Sequence, residues 1–220
     1  EILIGLVGSE MCIRDRTKTK AQQIMAATEA RAADDVTAAI KDIATEFEPY
    51  IIKQRRHFHK HPELSLAEER TTSDIANQLD AMNIPYERPL KTGLVATLRG
   101  TAPDAYREDG TPRRRILLRA DIDALPVTER NDCEWRSQNE GVMHACGHDM
   151  HAAVLFGVLK TFAEAPDFRG TLFGLFQPGE ECNPGGASLV LAEKPFEGYD
   201  VRAVVGEHVE PQLELSLIHI

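Results

Sequence analysis

The 220-residue sequence is poor in aromatic residues, in cysteine and in positive charge, and each shortage excludes a class of protein. Aromatic residues make up 6% of the chain, and its four cysteines form no CxxC pair or regular framework. We therefore expect free thiols in a reducing compartment instead of a disulfide-stapled secreted fold. The formal net charge is −10, which argues against nucleic acid and anionic membranes as partners because both require a basic face.

The sequence also lacks an apolar run long enough to span a bilayer. Residues 1–16 carry a short apolar stretch with its charges after it, the reverse of a secretory signal. That segment and residues 215–220 resemble translated sequencing-adapter read-through, so we expect neither to be native and discount His219 as a ligand. The interpretation that follows is a cytoplasmic protein whose native-looking part is residues 17–214.

Apolar periodicity predicts helices that alternate with short buried strands. Helices are expected over about 21–60, 65–82 and 154–163. Strands are expected at 93–100, 115–120, 170–177 and 201–205. Because 42% of the residues are hydrophobic, the chain can form a substantial core. The pattern predicts an α/β fold with helices on both faces of a mixed sheet.

One nine-residue stretch, 143–151 (MHACGHDMH), holds more imidazole, thiol and carboxylate groups than packing requires. Neutral imidazole and thiolate are strong ligands for zinc-like ions. The stretch therefore predicts half of a metal site. The alternative is a polar loop with a buried structural cysteine.

A second histidine group comprises His57, His59 and His61. Neighbouring cations would repel a divalent ion, and Pro62 disfavours helix at the residue before it. We therefore interpret the group as a helix end followed by a polar turn, with a metal site as the alternative.

Acidic residues or histidine follow three of the predicted strands. They are Asp121 and Asp123 after 115–120, Glu180 and Glu181 after 170–177, and Glu207 and His208 after 201–205. Ligands of open α/β sheets collect beyond the carboxyl ends of the strands, so we expect these side chains at one edge. In the Glu180–Glu181 pair, one carboxylate can bind a metal while the other takes a proton from water; two exposed surface acids are the alternative.

Five motifs in this order resemble those of the M20 metallopeptidase family, in particular its amidohydrolase branch. That branch includes hippurate hydrolases and enzymes that free amino acids from N-acyl or auxin conjugates. The motifs lie at 56–65 (RHFHKHPELS), 118–126 (LRADIDALP), 143–151 (MHACGHDMH), 176–181 (FQPGEE) and 207–211 (EHVEP). The resemblance covers nearly all of the native-looking chain.

The resemblance implies a zinc-exopeptidase-like catalytic domain that hydrolyses the amide bond of N-acyl amino acids or small peptide-like substrates. It implies that Glu180 is the general base that generates a hydroxide held by two divalent ions. It also implies that Asp121 is an acid that orients the ligands without binding the metal itself. The implied ligands are Cys146, His148, Glu181 and His208. Zinc or manganese is the expected metal, with cobalt and nickel as alternatives.

Two parts of the family pattern are missing: a further histidine ligand far downstream, and a lid domain that usually carries dimer contacts. We therefore expect the chain to be the N-terminal part of a catalytic domain from a longer protein. That protein would be a homodimer through the lid, and this part alone would be inactive. The alternative is a non-catalytic module or degenerate fragment whose four implied ligands hold a single structural ion.

Overall fold

The computed structural model describes residues 33–112 and 114–210, with the backbone alone for residues 33–40. The expected non-native segments at 1–16 and 215–220 lie outside these residues, as does the start of the first predicted helix. The elements in chain order are α1 (Ala33–Lys60), α2 (Glu69–Ala81), β1 (Tyr86–Glu87), β2 (Leu94–Arg99), β3 (Arg115–Asp121), α3 (His148–Glu164), β4 (Thr171–Gln177), α4 (Gly186–Ala192) and β5 (Ala203–Gly206).

The strands form one mixed sheet in the order β1-β2-β4-β3-β5. Strand β2 runs antiparallel to β1 and β4, whereas β3 runs parallel to β4 and β5. Asp121 therefore pairs with Gln177, and Arg119 with Gly206. The chain leaves β3, β4 and β5 at one side of the sheet, which we call the carboxyl edge, as the sequence predicted.

Alternate residues of the buried strand β4 enter two separate cores. Leu172 and Phe176 pack with α1, α2 and α3 on one face. Phe173 and Leu175 pack on the other face, where Val190 of α4 belongs to the same cluster. The prediction of a mixed sheet with helices on both faces is confirmed. Among the described helices, none is both long and apolar enough to cross a bilayer.

A row of three phenylalanine rings joins α1 and α3 to the sheet. The Phe156 ring stacks on Phe58 with centroids 6.0 Å apart and lies 4.9 Å from the Phe176 centroid. Gly157 permits the close approach of α1 to α3, because a Cβ there would lie 2.7 Å from Ile51 Cδ1. The row packs the middle of α3 against α1 and against the end of β4.

Strand β5 forms one edge of the sheet, and all four of its residues are exposed. Val204 and Val205 are 65% and 53% exposed. No strand lies on its outer side within the described part of the chain.

Helix α2 begins at Glu69, four residues later than predicted. The Glu63 carboxylate accepts hydrogen bonds from the Arg70 and Thr71 amides at 3.1 and 2.7 Å, which satisfies donors of the first helical turn. Leu66 has a φ of 61°, which is incompatible with a right-handed helix at that residue. Ser65 instead donates to the Asp123 carboxylate at 2.7 Å.

Helix α3 begins at His148, six residues before the predicted start. Gly147 precedes it with a φ of 87°, so the polar stretch identified in the sequence supplies the first turn of this helix. The sequence prediction also missed β1 and α4. Both elements are too short to show a hydrophobic period.

We expect Phe156→Ala to destabilise the chain by about 3–5 kcal/mol, because the truncation leaves a cavity in the phenylalanine row. Ile52→Ala is the control, since Ile52 lies on α1 but is 39% exposed; it should change stability by less than about 0.5 kcal/mol. Urea denaturation measures both changes. Equal losses would contradict the assignment of Phe156 to the core.

Candidate metal centre

His148 lies at the start of α3 with its imidazole fully buried. Its Nδ1 lies 2.9 Å from the Asp123 carbonyl oxygen and 3.1 Å from Asp123 Oδ1. Because both partners accept hydrogen bonds, Nδ1 is assigned as the donor and Nε2 carries the lone pair. Nε2 has no hydrogen-bond partner in the described part of the chain, and a buried polar atom of this kind requires a partner.

Three carboxylates face the Nε2 lone pair of His148. Asp121 Oδ1 and Glu181 Oε1 each lie 3.7 Å from Nε2, and Glu180 Oε2 lies 3.9 Å away. These separations are too long for hydrogen bonds. Several anionic oxygens around one imidazole lone pair are favourable when a cation lies among them, so these residues fit a divalent metal ion.

A nitrogen and sulfur donor set borders the same imidazole. Cys146 Sγ lies 3.4 Å from His208 Nε2, and ligand atoms of Cys146, His148 and His208 all lie within 4.8 Å of one another. Burial, followed by the Glu181 carboxylate, raises the pKa of the Cys146 thiol to about 12. A bound cation reverses this effect because it favours the thiolate.

The structure thus brings all six sequence-predicted residues into one cluster at the carboxyl edge, which we call the candidate centre. It comprises Asp121, Cys146, His148, Glu180, Glu181 and His208. Their proximity is a structural observation, whereas their individual roles as base, ligands and orienting acid stay predictions.

Asp123 is a buried member of the site that the sequence-based assignment left without a role. Its carboxylate accepts hydrogen bonds from Ser65 Oγ at 2.7 Å and from the Glu181 amide at 2.9 Å, in addition to the His148 contact. Burial alone would raise the pKa of Asp123, but hydrogen bonds led by that from His148 lower it to about 2. The sequence could have assigned Asp123 to the site, because Asp121 and Asp123 are two residues apart and share one side of an extended segment.

Asp121 directly contacts His151. His151 Nδ1 lies 2.6 Å from Asp121 Oδ1, and His151 Nε2 accepts the Val209 amide at 3.0 Å. Both nitrogens of His151 are therefore engaged, and the ring joins β3 to the segment after β5. Arg119 also pairs with Asp121 at 2.6 Å. Asp121 thus orients His151, while Asp123 holds His148.

His144, the first imidazole of the polar stretch, lies outside the candidate ligand groups of the described residues. Its side chain is buried, and neither ring nitrogen has a hydrogen-bond partner within the described chain. Burial lowers the pKa of His144 to about 4. We therefore assign it as a neutral core imidazole.

The second histidine group lies at the end of α1, as predicted, but His59 is buried in an ionic network. Its Nδ1 lies 2.8 Å from Asp149 Oδ2 and its Nε2 lies 3.1 Å from Glu129 Oε1. Arg55 also pairs with Asp149 at 2.9 Å. The hydrogen bond with Asp149, supported by the bond with Glu129, raises the pKa of His59 despite burial. The network joins α1 to the first turn of α3.

Comparison with known proteins identifies the family. The model of Peptidase family M20/M25/M40 matches residues 117–219. The solved structure of the Bacillus subtilis YXEP protein, a dinuclear metal-binding peptidase from the M20 family, resembles the chain with a TM-score of 0.68 and 36% identity. The similarity covers 77% of this chain and 45% of that one. The chain belongs to the M20 peptidase family.

Other relatives of this M20 chain are hydrolases. An uncharacterized hydrolase of Staphylococcus haemolyticus is 45% identical over 166 residues, which cover 74% of this chain and 40% of the relative. A putative aminohydrolase from methicillin-resistant Staphylococcus aureus has a TM-score of 0.68 and 37% identity over 76% of this chain and 41% of that one. The M20 chain therefore spans about 40% of the length of the curated relatives it matches.

We expect His59→Gln to destabilise the metal-free M20 chain by about 1–3 kcal/mol at pH 6, and by less at pH 9. The pKa of His59 is raised above its ordinary value of 6.5. Its ionic contribution is therefore fully present below that value and is lost as pH rises through the folded-state pKa. Denaturation at both pH values tests this.

His57→Gln is the matched control, because His57 pairs with Asp74 at a partly exposed site. Its effect should be below about 0.5 kcal/mol. A loss from His59→Gln that is equal at pH 6 and pH 9 would contradict a charged His59.

Proposed function

We propose that this M20 chain forms part of the catalytic domain of a metal-dependent amidohydrolase. The substrate class is N-acyl amino acids or small peptide-like amides. The observation that carries the proposal is the buried Nε2 of His148, which has no hydrogen-bond partner among the described residues. Carboxylates face this atom, and a thiol and a second imidazole lie beside it. The similar proteins, a hydrolase, a putative aminohydrolase and an M20 peptidase, support the same reaction class.

Two divalent ions, zinc or manganese, fit the two groups of donors that share His148. Cys146 and His208 would supply sulfur and nitrogen from one of these groups, and Glu181 would supply carboxylate oxygen from the other. Two such ions, when bound, lower the pKa of water and polarise a scissile carbonyl. The reducing cytoplasmic location and the homodimer through a lid domain stay predictions.

Glu180 is the proposed general base. Its side chain is 40% exposed and that of Glu181 is 24% exposed, so Glu180 is the more open of the pair to an arriving water and substrate. A Glu180 oxygen accepts one proton from the attacking water and then donates it to the amine nitrogen as the amide C–N bond breaks. The products are a carboxylate-bearing fragment and a free amine.

The alternative is a single structural ion held by Cys146, His148, Glu181 and His208, because closed sites with four ligands are usually structural. This arrangement gives Glu180 no role, although its carboxylate lies 3.9 Å from His148 Nε2. The position of Glu180 therefore favours the catalytic proposal.

The first test is the metal content of the full-length protein, extended to the length of its relatives and purified without chelator. We expect about two ions per chain by elemental analysis, as in two-metal hydrolytic sites. A ratio of one would support the structural ion, and the hydrolytic proposal would then be withdrawn.

We expect Glu180→Gln to lower kcat for N-acyl amino acid hydrolysis by about 10²–10⁴-fold, because it removes the proton acceptor, with metal content unchanged. Glu181→Gln is the matched variant at the adjacent residue, and it should lower metal occupancy. The measurements are steady-state kinetics and elemental analysis. Near-parental turnover by Glu180→Gln would refute its assignment as the base.

A further inference from the structure

Glu68 is a fully buried glutamate at the residue immediately before α2. A side-chain oxygen at this N-cap position commonly accepts a hydrogen bond from an amide of the first helical turn. The Glu68 side chain makes no such bond, and Glu63 accepts from the Arg70 and Thr71 amides in its place. The carboxyl group of Glu68 is therefore not engaged in capping its own helix.

Glu68 instead contacts the turn that follows β4. Its Oε1 accepts a hydrogen bond from the Gly179 amide at 2.8 Å, in a buried contact between residues 111 positions apart in the chain. Gly179 directly precedes Glu180 and Glu181, the two acidic residues of the candidate centre. The contact thus joins the start of α2 to the backbone that carries both carboxylates.

The turn at 178–181 is tightly packed where Glu68 holds it. Gly179 has a φ of +56°, and a Cβ there would lie 2.6 Å from Leu66 Cδ2, so the backbone passes directly against the segment before α2. At the other end of the turn, the Glu181 amide donates to Asp123 Oδ2 at 2.9 Å. Glu180 therefore lies between two amides that buried carboxyl groups hold.

The burial of Glu68 opposes folding. Its Oε2 has no hydrogen-bond partner within the described chain, and burying a polar atom without a partner is unfavourable. Burial also raises the pKa of Glu68. An apolar residue of similar size would fill the space without this cost, but it could not accept the Gly179 amide.

We propose that Glu68 is a positioning residue of the candidate centre, which fixes the directions of Glu180 and Glu181 by accepting the Gly179 amide. The roles of those two glutamates rest on the proposed function, whereas the contact between Glu68 and the turn does not. Glu68 acts through the backbone of the turn and touches neither the metal nor the substrate.

The test compares Glu68→Leu and Glu68→Gln in the full-length protein with Glu164→Leu as the matched control. Glu164 is another buried glutamate, with one oxygen paired to Lys160 at 2.6 Å and the other unpartnered among the described residues. It lies at the end of α3 opposite His148. The glutamine variant of Glu68 keeps an oxygen acceptor for Gly179, so it separates loss of this bond from loss of charge.

Two measurements are made on each variant: amide hydrogen exchange at Gly179 and Glu181, and calorimetric titration of the chelator-treated protein with Mn²⁺ or Zn²⁺. Glu68→Leu should raise exchange at both amides at least tenfold relative to global unfolding, and weaken metal binding by about 10–100-fold. Glu68→Gln should restore both properties toward parental values. Glu164→Leu should lower stability and leave both properties unchanged.

The proposal is overturned if Glu68→Leu keeps the amide exchange rates and the metal affinity of the parent protein. It is also overturned if Glu164→Leu changes these two properties as much as Glu68→Leu does. If Glu68→Leu does not fold, Glu68→Asp replaces it, because the shorter side chain withdraws the carboxylate from Gly179; the same outcomes then apply. If the parent protein binds no metal, the proposed function fails, and amide exchange alone decides the role of Glu68. Faster exchange at Gly179 and Glu181 in Glu68→Leu then supports the positioning role, and exchange at the parental rate overturns it.

Discussion

The Asp123 carboxylate connects three chain segments that are distant in sequence, two of which carry residues of the candidate centre. It accepts hydrogen bonds from Ser65 before α2, from the Glu181 amide after β4, and from His148 at the start of α3. These contacts fix the tautomer of His148 and hold the turn that bears the paired glutamates. The sheet brings the segments to one edge, but a sheet register alone does not set the direction of a side chain.

The same arrangement concentrates negative charge around His148, and the buried Asp121 and Asp123 have little solvent to screen them. Asp121, Asp123, Glu180 and Glu181 surround His148, and Arg119 forms an ion pair with the first of them. Mutual repulsion among these carboxylates works against the folded state, and a bound divalent cation would relieve it. Because an ion that binds the folded state alone stabilises it by mass action, the proposed metal binding would link the stability of this domain to the occupancy of the centre.

The sequence allowed prediction of features that depend on local patterns. Strand β4 is buried throughout and mostly apolar, and the polar residues at the ends of β3, β4 and β5 meet at the carboxyl edge because parallel strands end together. The M20 resemblance of five short motifs agrees with the family match and with the solved relatives. Features that depend on distant contacts were missed. Nothing near Glu68 reveals that its carboxyl meets an amide 111 residues away, and the burial of His59 depends on Asp149 and Glu129 from other parts of the chain.

Strand β5 has a further consequence for how the sheet can be extended. Natural sheets protect their edges with charge, proline or a bulge, and Ala203–Gly206 contains neither a charged residue nor proline. Exposed Val204 and Val205 add apolar surface to a backbone edge that can extend a sheet. Within the described residues, this edge of the sheet is therefore open to pairing with a further strand, whether that strand belongs to a later part of the same protein or to a second chain.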